Sequence, residues 1–138
     1  MISATADSNI YVSALQFGGV PQQFLNAARI GAFKLAISEA LLSEIRGVLQ
    51  EKFHWSNEMV DEAIAGLSDF TELVSSTQTL SVIKEDPDDD RVLECAMASG
   101  SQFIVSGDKH LLRLAQYGNI RILKVAEFLT LIPQPSGL

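Results

Sequence analysis

The stretch Phe103-Ile104-Val105-Ser106-Gly107-Asp108-Lys109-His110-Leu111-Leu112 decides how this chain is read. Three consecutive large apolar residues suit a strand buried on both faces, as in a parallel sheet covered by helices. Ser106-Gly107-Asp108 ends the run with turn residues, and Lys109 to Gln116 then follows with helical spacing. Strand, acid-bearing turn and helix make a unit that an α/β domain repeats.

Outward from this unit the alternation continues. Ile2 to Ala6 is a weak strand ending at Asp7, followed by a helix through Tyr11, Val12 and Leu15. Gly18-Gly19-Val20-Pro21 reads as a loop, and Gln22 to Ile30 as a helix closed by Gly31. Phe33 to Ile37 is a strand, with Ser38 as N-cap of a helix striped by Leu41, Leu42, Ile45, Val48 and Leu49. A longer helix starts near Asn57 and carries its stripe to Phe70 and Leu73. Leu80 to Ile83 looks like a strand, Arg91 to Ser99 a helix stopped by Gly100, Ile120 to Leu123 a last strand, and Val125 to Leu131 a closing helix. The expected fold is α/β, a three-layer α/β/α sandwich around a largely parallel sheet with right-handed crossovers. One domain spans residues 1–131, with an irregular tail over 132–138 that contains Pro133 and Pro135.

Composition narrows the function. A chain of 138 residues buries roughly two-thirds of its unfolded surface in one core. Its longest uncharged stretch, Ser8 to Ala28, is broken by Asn9, Gln16, Pro21, Gln22, Gln23 and Asn26, so no membrane association is expected and the location is read as cytoplasmic. Cys95 is the lone cysteine and reads as a buried, inert thiol. His54 and His110 stand far apart with no cysteine company, which excludes zinc-finger spacing and leaves oxygen ligands for any metal. A net charge of −7 argues against gripping nucleic acid chiefly by counterion release. Six of the ten basic residues nevertheless fall between Lys84 and Lys124, either as solvated helix faces or as a phosphate-contacting rim.

Ligands in such sheets bind beyond the carboxyl ends of the strands. There the sequence delivers Asp7, the acid run Glu85-Asp86-Pro87-Asp88-Asp89-Asp90, and Asp108, each following an expected strand. Glu44 borders its helix stripe and can lean toward the same edge, although Glu39 and Glu51 occupy similar flanking angles. Each acid alone reads as a helix cap or dipole partner. Together they are costly, because carboxylates about 5 Å apart repel by roughly 3 kcal/mol per pair at an effective dielectric of 20. A divalent cation offsets that, and hard oxygens suit Mg²⁺ or Mn²⁺. The chemistry such a site favours is phosphoryl transfer, including phosphodiester hydrolysis, a property receiver domains and phosphatases share in part.

Four segments, Asp7-Ser8-Asn9, Ser43 to Leu49, Asp86 to Ala96 and Ile104 to Leu112, together resemble the PIN-domain nucleases, and most nearly the VapC-like toxin components of bacterial and archaeal toxin–antitoxin pairs. The similarity runs from Ile2 to about Leu131. It implies a Mg²⁺- or Mn²⁺-dependent endoribonuclease with Asp7, Glu44, Asp90 and Asp108 as catalytic metal ligands, and it selects Glu44 over Glu39. Asn9 and Ser106 match supporting polar positions, and Asp88 or Asp89 can stand in for Asp90, since all three precede one helix. Lys109, His110 and Arg113 are placed to contact substrate phosphates. The resemblance further implies an RNA substrate, an antitoxin protein and a homodimer; Phe53, Trp55 and Met59, clustered at the junction of two helices, read either as core packing, the commoner use, or as a groove for an antitoxin helix. The competing expectation is a non-catalytic or receiver-like metal-binding regulatory module acting through a protein partner, although Thr5-Ala6 occupies the place of a receiver's acid pair.

Overall fold

The computed structural model describes residues 1–133. Its strands are β1 (Ser3–Ala6), β2 (Lys34–Ser38), β3 (Thr71–Val74), β4 (Phe103–Val105), β5 (Gln116–Tyr117) and β6 (Ile120–Leu123). They form one six-stranded sheet in the order β3-β2-β1-β4-β6-β5, parallel throughout except for the β5·β6 pair. The helices are α1 (Ser8–Phe17), α2 (Gly19–Arg29), α3 (Glu39–Glu51), α4 (Asn57–Ser68), α5 (Pro87–Ser99), α6 (Lys109–Leu114) and α7 (Val125–Leu129). Flanked by helices, the mostly parallel sheet is the α/β sandwich the alternation implies.

β1 holds the middle because its residues are small. Ala4, Thr5 and Ala6 are fully buried, and α5 packs across β1, β2 and β4. Thr5, polar among these three, meets Ser101 Oγ at 2.9 Å and Cys95 Sγ at 3.8 Å, which satisfies its hydroxyl inside the core. Large side chains fill the rest: Leu35, Ile37, Leu41, Ile45, Leu49, Leu93, Ile104 and Leu111 are all buried, each contributing about 1.5–3 kcal/mol. Phe24, Phe33, Phe103 and Phe128 form an aromatic cluster with centroids 4.9–5.7 Å apart. Phe33 precedes β2 and Phe103 opens β4, so this cluster sits at the amino ends of the strands.

Strand order reverses around β1, which has β2 on one side and β4 on the other. A crevice opens at the carboxyl ends of such a switch point. Asp7 leaves β1 there and caps α1, accepting from Ile10 N at 3.1 Å. Ser38 ends β2 and caps α3 by accepting from Leu41 N at 3.2 Å, as the sequence predicts.

Six expectations need correction. Gly18 alone separates α1 from α2, because Pro21 fits a helix's first turn and needs no loop. The helix from Asn57 ends at Ser68, and Phe70 and Leu73, whose spacing mimics a continued stripe, belong to the edge strand β3 and its approach. Leu80–Ile83 is no strand. Its backbone is satisfied by α5 side chains instead: Leu80 N donates to Glu94 Oε2 at 2.7 Å and Leu80 O accepts from Arg91 Nη2 at 3.1 Å. α5 begins at Pro87, not Arg91, with Asp86 as N-cap and Gly100 in the left-handed conformation at its end, so the aspartates lie inside its first turn. Past Leu114 the chain leaves the helix, and Gln116–Tyr117 turns back through Gly118 onto β6. α7 stops at Leu129, and the expected tail from residue 134 onward lies outside the described residues.

Candidate functional site

Asp7 and Asp108 are joined through one hydroxyl. Ser106, fully buried, donates through Oγ to Asp7 Oδ2 and accepts from Asp108 N at 2.9 Å. Asp108 Oδ1 in turn accepts from His110 N at 2.8 Å and Leu111 N at 3.2 Å, which caps α6 and fixes the acid. Glu44 arrives from α3, where Ser8 Oγ donates to its Oε1 at 2.7 Å. Nothing in the sequence marks Ser8 for this role except its adjacency to Asp7. Asn9, by contrast, is exposed on α1.

The three consecutive aspartates of α5 take three different directions. Asp88 is exposed. Asp90 is buried and turns back toward the preceding segment, where its Oδ1 accepts from Val82 N at 2.9 Å and Ile83 N at 3.0 Å. Asp89, 7% exposed, faces α6, with its Oδ2 3.8 Å from His110 Nδ1. His110 Nδ1 also lies 3.7 Å from Asp108 Oδ1. Ligand-capable atoms of Asp86, Asp89, Asp108 and His110 all fall within 4.8 Å of one another. Asp7, Glu44 and Asp90 stand outside that tightest set, but Asp7 and Glu44 share its field.

The electrostatics bind the acids into one site. Burial first, and then Asp108, hold the Asp7 carboxyl above its ordinary value against the opposing bonds from Ser106 and Ile10. Glu44 is raised by burial, opposed by Ser8, with Asp88, Asp7 and Asp86 adding to the rise. Asp89 is pushed up to about 8 by burial and then by Asp108, Asp86 and Asp7. For Asp108, burial works upward, yet hydrogen bonding with the Asp89 carboxyl and the amides of Leu111 and His110, and the charge of the His110 ring, carry it below the usual range. Among the described residues no lysine or arginine pairs with Asp7, Glu44, Asp86, Asp89 or Asp108.

The donor set fits a divalent cation. Asp89 Oδ2 is buried with no hydrogen-bond partner, an arrangement that costs about 1–3 kcal/mol or more unless a proton or a metal meets it. Oxygen donors in excess, with no lysine or arginine paired to them among the described residues, suit Mg²⁺ or Mn²⁺. Lys109 and Arg113 are exposed on α6. His110 and Arg113 form one wall of a cleft of about 250 Å³, with Val82, Ile83 and Glu85 opposite. Glu39, by contrast, lines a separate cavity with Arg91, Glu94 and Cys95.

Residues 4–110 match the family model described as PIN domain. VapBC2 from Rickettsia felis, solved bound to a DNA fragment from its promoter, superposes with a TM-score of 0.62 at 16% identity, covering 88% of this chain and 97% of that one. PAE2754 from Pyrobaculum aerophilum superposes with a TM-score of 0.61 at 16% identity, covering 94% and 88%. No curated protein matches the chain.

Proposed function

The chain belongs to the PIN domain family, and from that premise we propose that it is a Mg²⁺- or Mn²⁺-dependent endoribonuclease, the toxin of a toxin–antitoxin pair. One observation carries the reading: acids from β1, α3, α5 and the end of β4 converge at the switch point, with a buried carboxylate oxygen making no hydrogen bond and no lysine or arginine among the described residues paired with them.

Asp7, Glu44, Asp89 and Asp108 are the residues we assign to the cation. Asp89 takes the place that the motif resemblance gives to Asp90, because Asp90 spends an oxygen on the amides of Val82 and Ile83. A divalent ion bound there supplies Lewis-acid activation of water and neutralises charge at phosphorus. Ser106 sets the spacing of Asp7 and Asp108, and Ser8 orients Glu44. Burial and the neighbouring acids raise Asp89 to about 8, so a cation bound by Asp89 and Asp108 would compete with a proton for the pair. Lys109 and Arg113, exposed on α6, contact the phosphates flanking the cleaved bond.

The partners follow from the same reading. An antitoxin segment docks on the face where the Phe17 and Phe53 rings meet edge-on, Trp55 Nε1 donates to Gln16 Oε1 at 2.9 Å, and Met59 is exposed. VapBC2, one of the similar structures, supports a partner of that kind. We further propose a homodimer and a cytoplasmic location; no helix among the described residues is long and apolar enough to cross a membrane.

The test is cleavage of a defined single-stranded RNA by purified protein with Mg²⁺, with Mn²⁺ and with chelator, beside Asp7→Asn. Metal-dependent cleavage that disappears in the variant is the expected result. Equal cleavage by both proteins would sink the assignment, while metal-induced stabilisation without any turnover would favour the regulatory module.

A further inference from the structure

Resting on the metal reading above, we propose that His110 is a nitrogen ligand of this site and tilts it away from Mg²⁺ toward Mn²⁺ and the later first-row divalent ions. Its Nδ1 is buried and has no hydrogen-bond partner. It stands 3.7 Å from Asp108 Oδ1 and 3.8 Å from Asp89 Oδ2. Both separations are too long for hydrogen bonds. They are what two ligands of one ion show, since metal bonds of about 2.1 Å in an octahedron put neighbouring donors about 3.0 Å apart and opposite donors about 4.2 Å apart. The full set, with Asp86, spans no more than 4.8 Å and needs to close by only a few tenths of an ångström.

A second, independent observation points at the same space. Asp89 is 7% exposed, and its Oδ2, the oxygen facing His110, is buried without a partner. His110 Nδ1 and Asp89 Oδ2 face each other at ion-pair separation, yet neither makes a hydrogen bond. The ring is also held in place, because the His110 amide donates to Asp108 Oδ1 at 2.8 Å and α6 packs on β6. An imidazole donor changes which ion the site prefers: Mg²⁺ takes oxygen ligands, whereas affinity for nitrogen-containing sites rises from Mn²⁺ through the first-row series.

Tag-free protein, parent and His110→Gln, is titrated with Mn²⁺ by electron paramagnetic resonance and with Mg²⁺ by competition, and the bound Mn²⁺ is examined for spin-echo modulation by a coordinated nitrogen. His54→Gln serves as control, His54 being the only other histidine. The expected result is nitrogen modulation in the parent and in His54→Gln but not in His110→Gln, where Mn²⁺ affinity falls by about tenfold or more and Mg²⁺ affinity stays within about twofold. Bound Mn²⁺ without nitrogen modulation in the parent, a measurement that needs no variant, overturns this proposal and leaves the metal site standing. So does an unchanged Mn²⁺-to-Mg²⁺ preference in His110→Gln. A parent that binds neither ion overturns the metal reading as well.

Discussion

Replacing Asp90 separates two roles that the sequence assigns to one residue. Asp90 Oδ1 accepts from the amides of Val82 and Ile83, and Ile83 is itself buried. Hydrogen bonds to a charged acceptor are worth about 1.5–3 kcal/mol each, so Asp90→Ala is expected to cost about 3–6 kcal/mol. That is a large share of a total stability of about 5–15 kcal/mol. With a urea m-value of about 2 kcal/mol/M, the unfolding midpoint falls by about 1.5–3 M. Asp90→Asn keeps a carbonyl oxygen in place but loses the charge, and neutral bonds are about half as strong, so its cost is about 1.5–3 kcal/mol. Urea denaturation gives the two totals, and amide exchange at Val82 and Ile83 localises them. Mn²⁺ binding by Asp90→Asn should match the parent, whereas Asp89→Asn should lose it. An Asp90→Ala protein within about 0.5 kcal/mol of the parent would refute the tether. An Asp90→Asn protein with both amides protected but no Mn²⁺ binding would return Asp90 to the ligand set.

Stability of the metal-free protein should fall as pH rises from about 4 to about 8. Asp89, at about 8 in the folded state, keeps a proton there that the unfolded chain has given up above its ordinary 3.8, so the folded state binds more protons and ∂ΔG/∂pH is negative across that window. Asp7 and Glu44, also raised, add to the low-pH part, and a melting series in chelator against one in Mn²⁺ should show the slope only in the former. Cys95, fully buried and pushed up to about 11 by burial against weak help from Thr5 and Ser38, should resist thiol reagents at pH 8 until urea unfolds the chain; labelling of the native protein would contradict this. Tyr11 places its hydroxyl in the core with no hydrogen-bond partner, so Tyr11→Phe should raise stability by about 1 kcal/mol in urea denaturation, and a loss of that size would mean an unseen partner for the hydroxyl.

The parts of the fold legible in the sequence are those where local chemistry and tertiary need agree. Phe103-Ile104-Val105, Ser38 before α3 and Gly100 after α5 each have one structural use, and each occupies it. Thr71–Val74 escaped because an edge strand is covered on one side only, and Phe70 and Leu73 happen to lie three apart, as on a helix. Leu80–Ile83 misled for the opposite reason. It has the apolar composition of a strand, but the groups that bond its backbone are side chains of Asp90, Arg91 and Glu94, and no pattern in the segment announces them. Three aspartates in one helical turn point about 100° apart, so composition says that acids gather there and only the neighbours decide which one faces Asp108. Asp7 and Asp108 were visible because each follows its strand directly, whereas Ser8, whose partner Glu44 is 36 positions away, was not.

The phenylalanine cluster at the amino ends of the strands has a consequence for how this protein tolerates change. The aromatic packing lies at one rim of the sheet, and mutual repulsion at the other. A lineage can therefore redraw the charged rim, substituting acids or swapping the loops that bear them, while the aromatic rim keeps the sheet assembled. Damage to Phe24 or Phe128 offers no such latitude, since every property of the opposite rim is inherited from the strands these rings hold together.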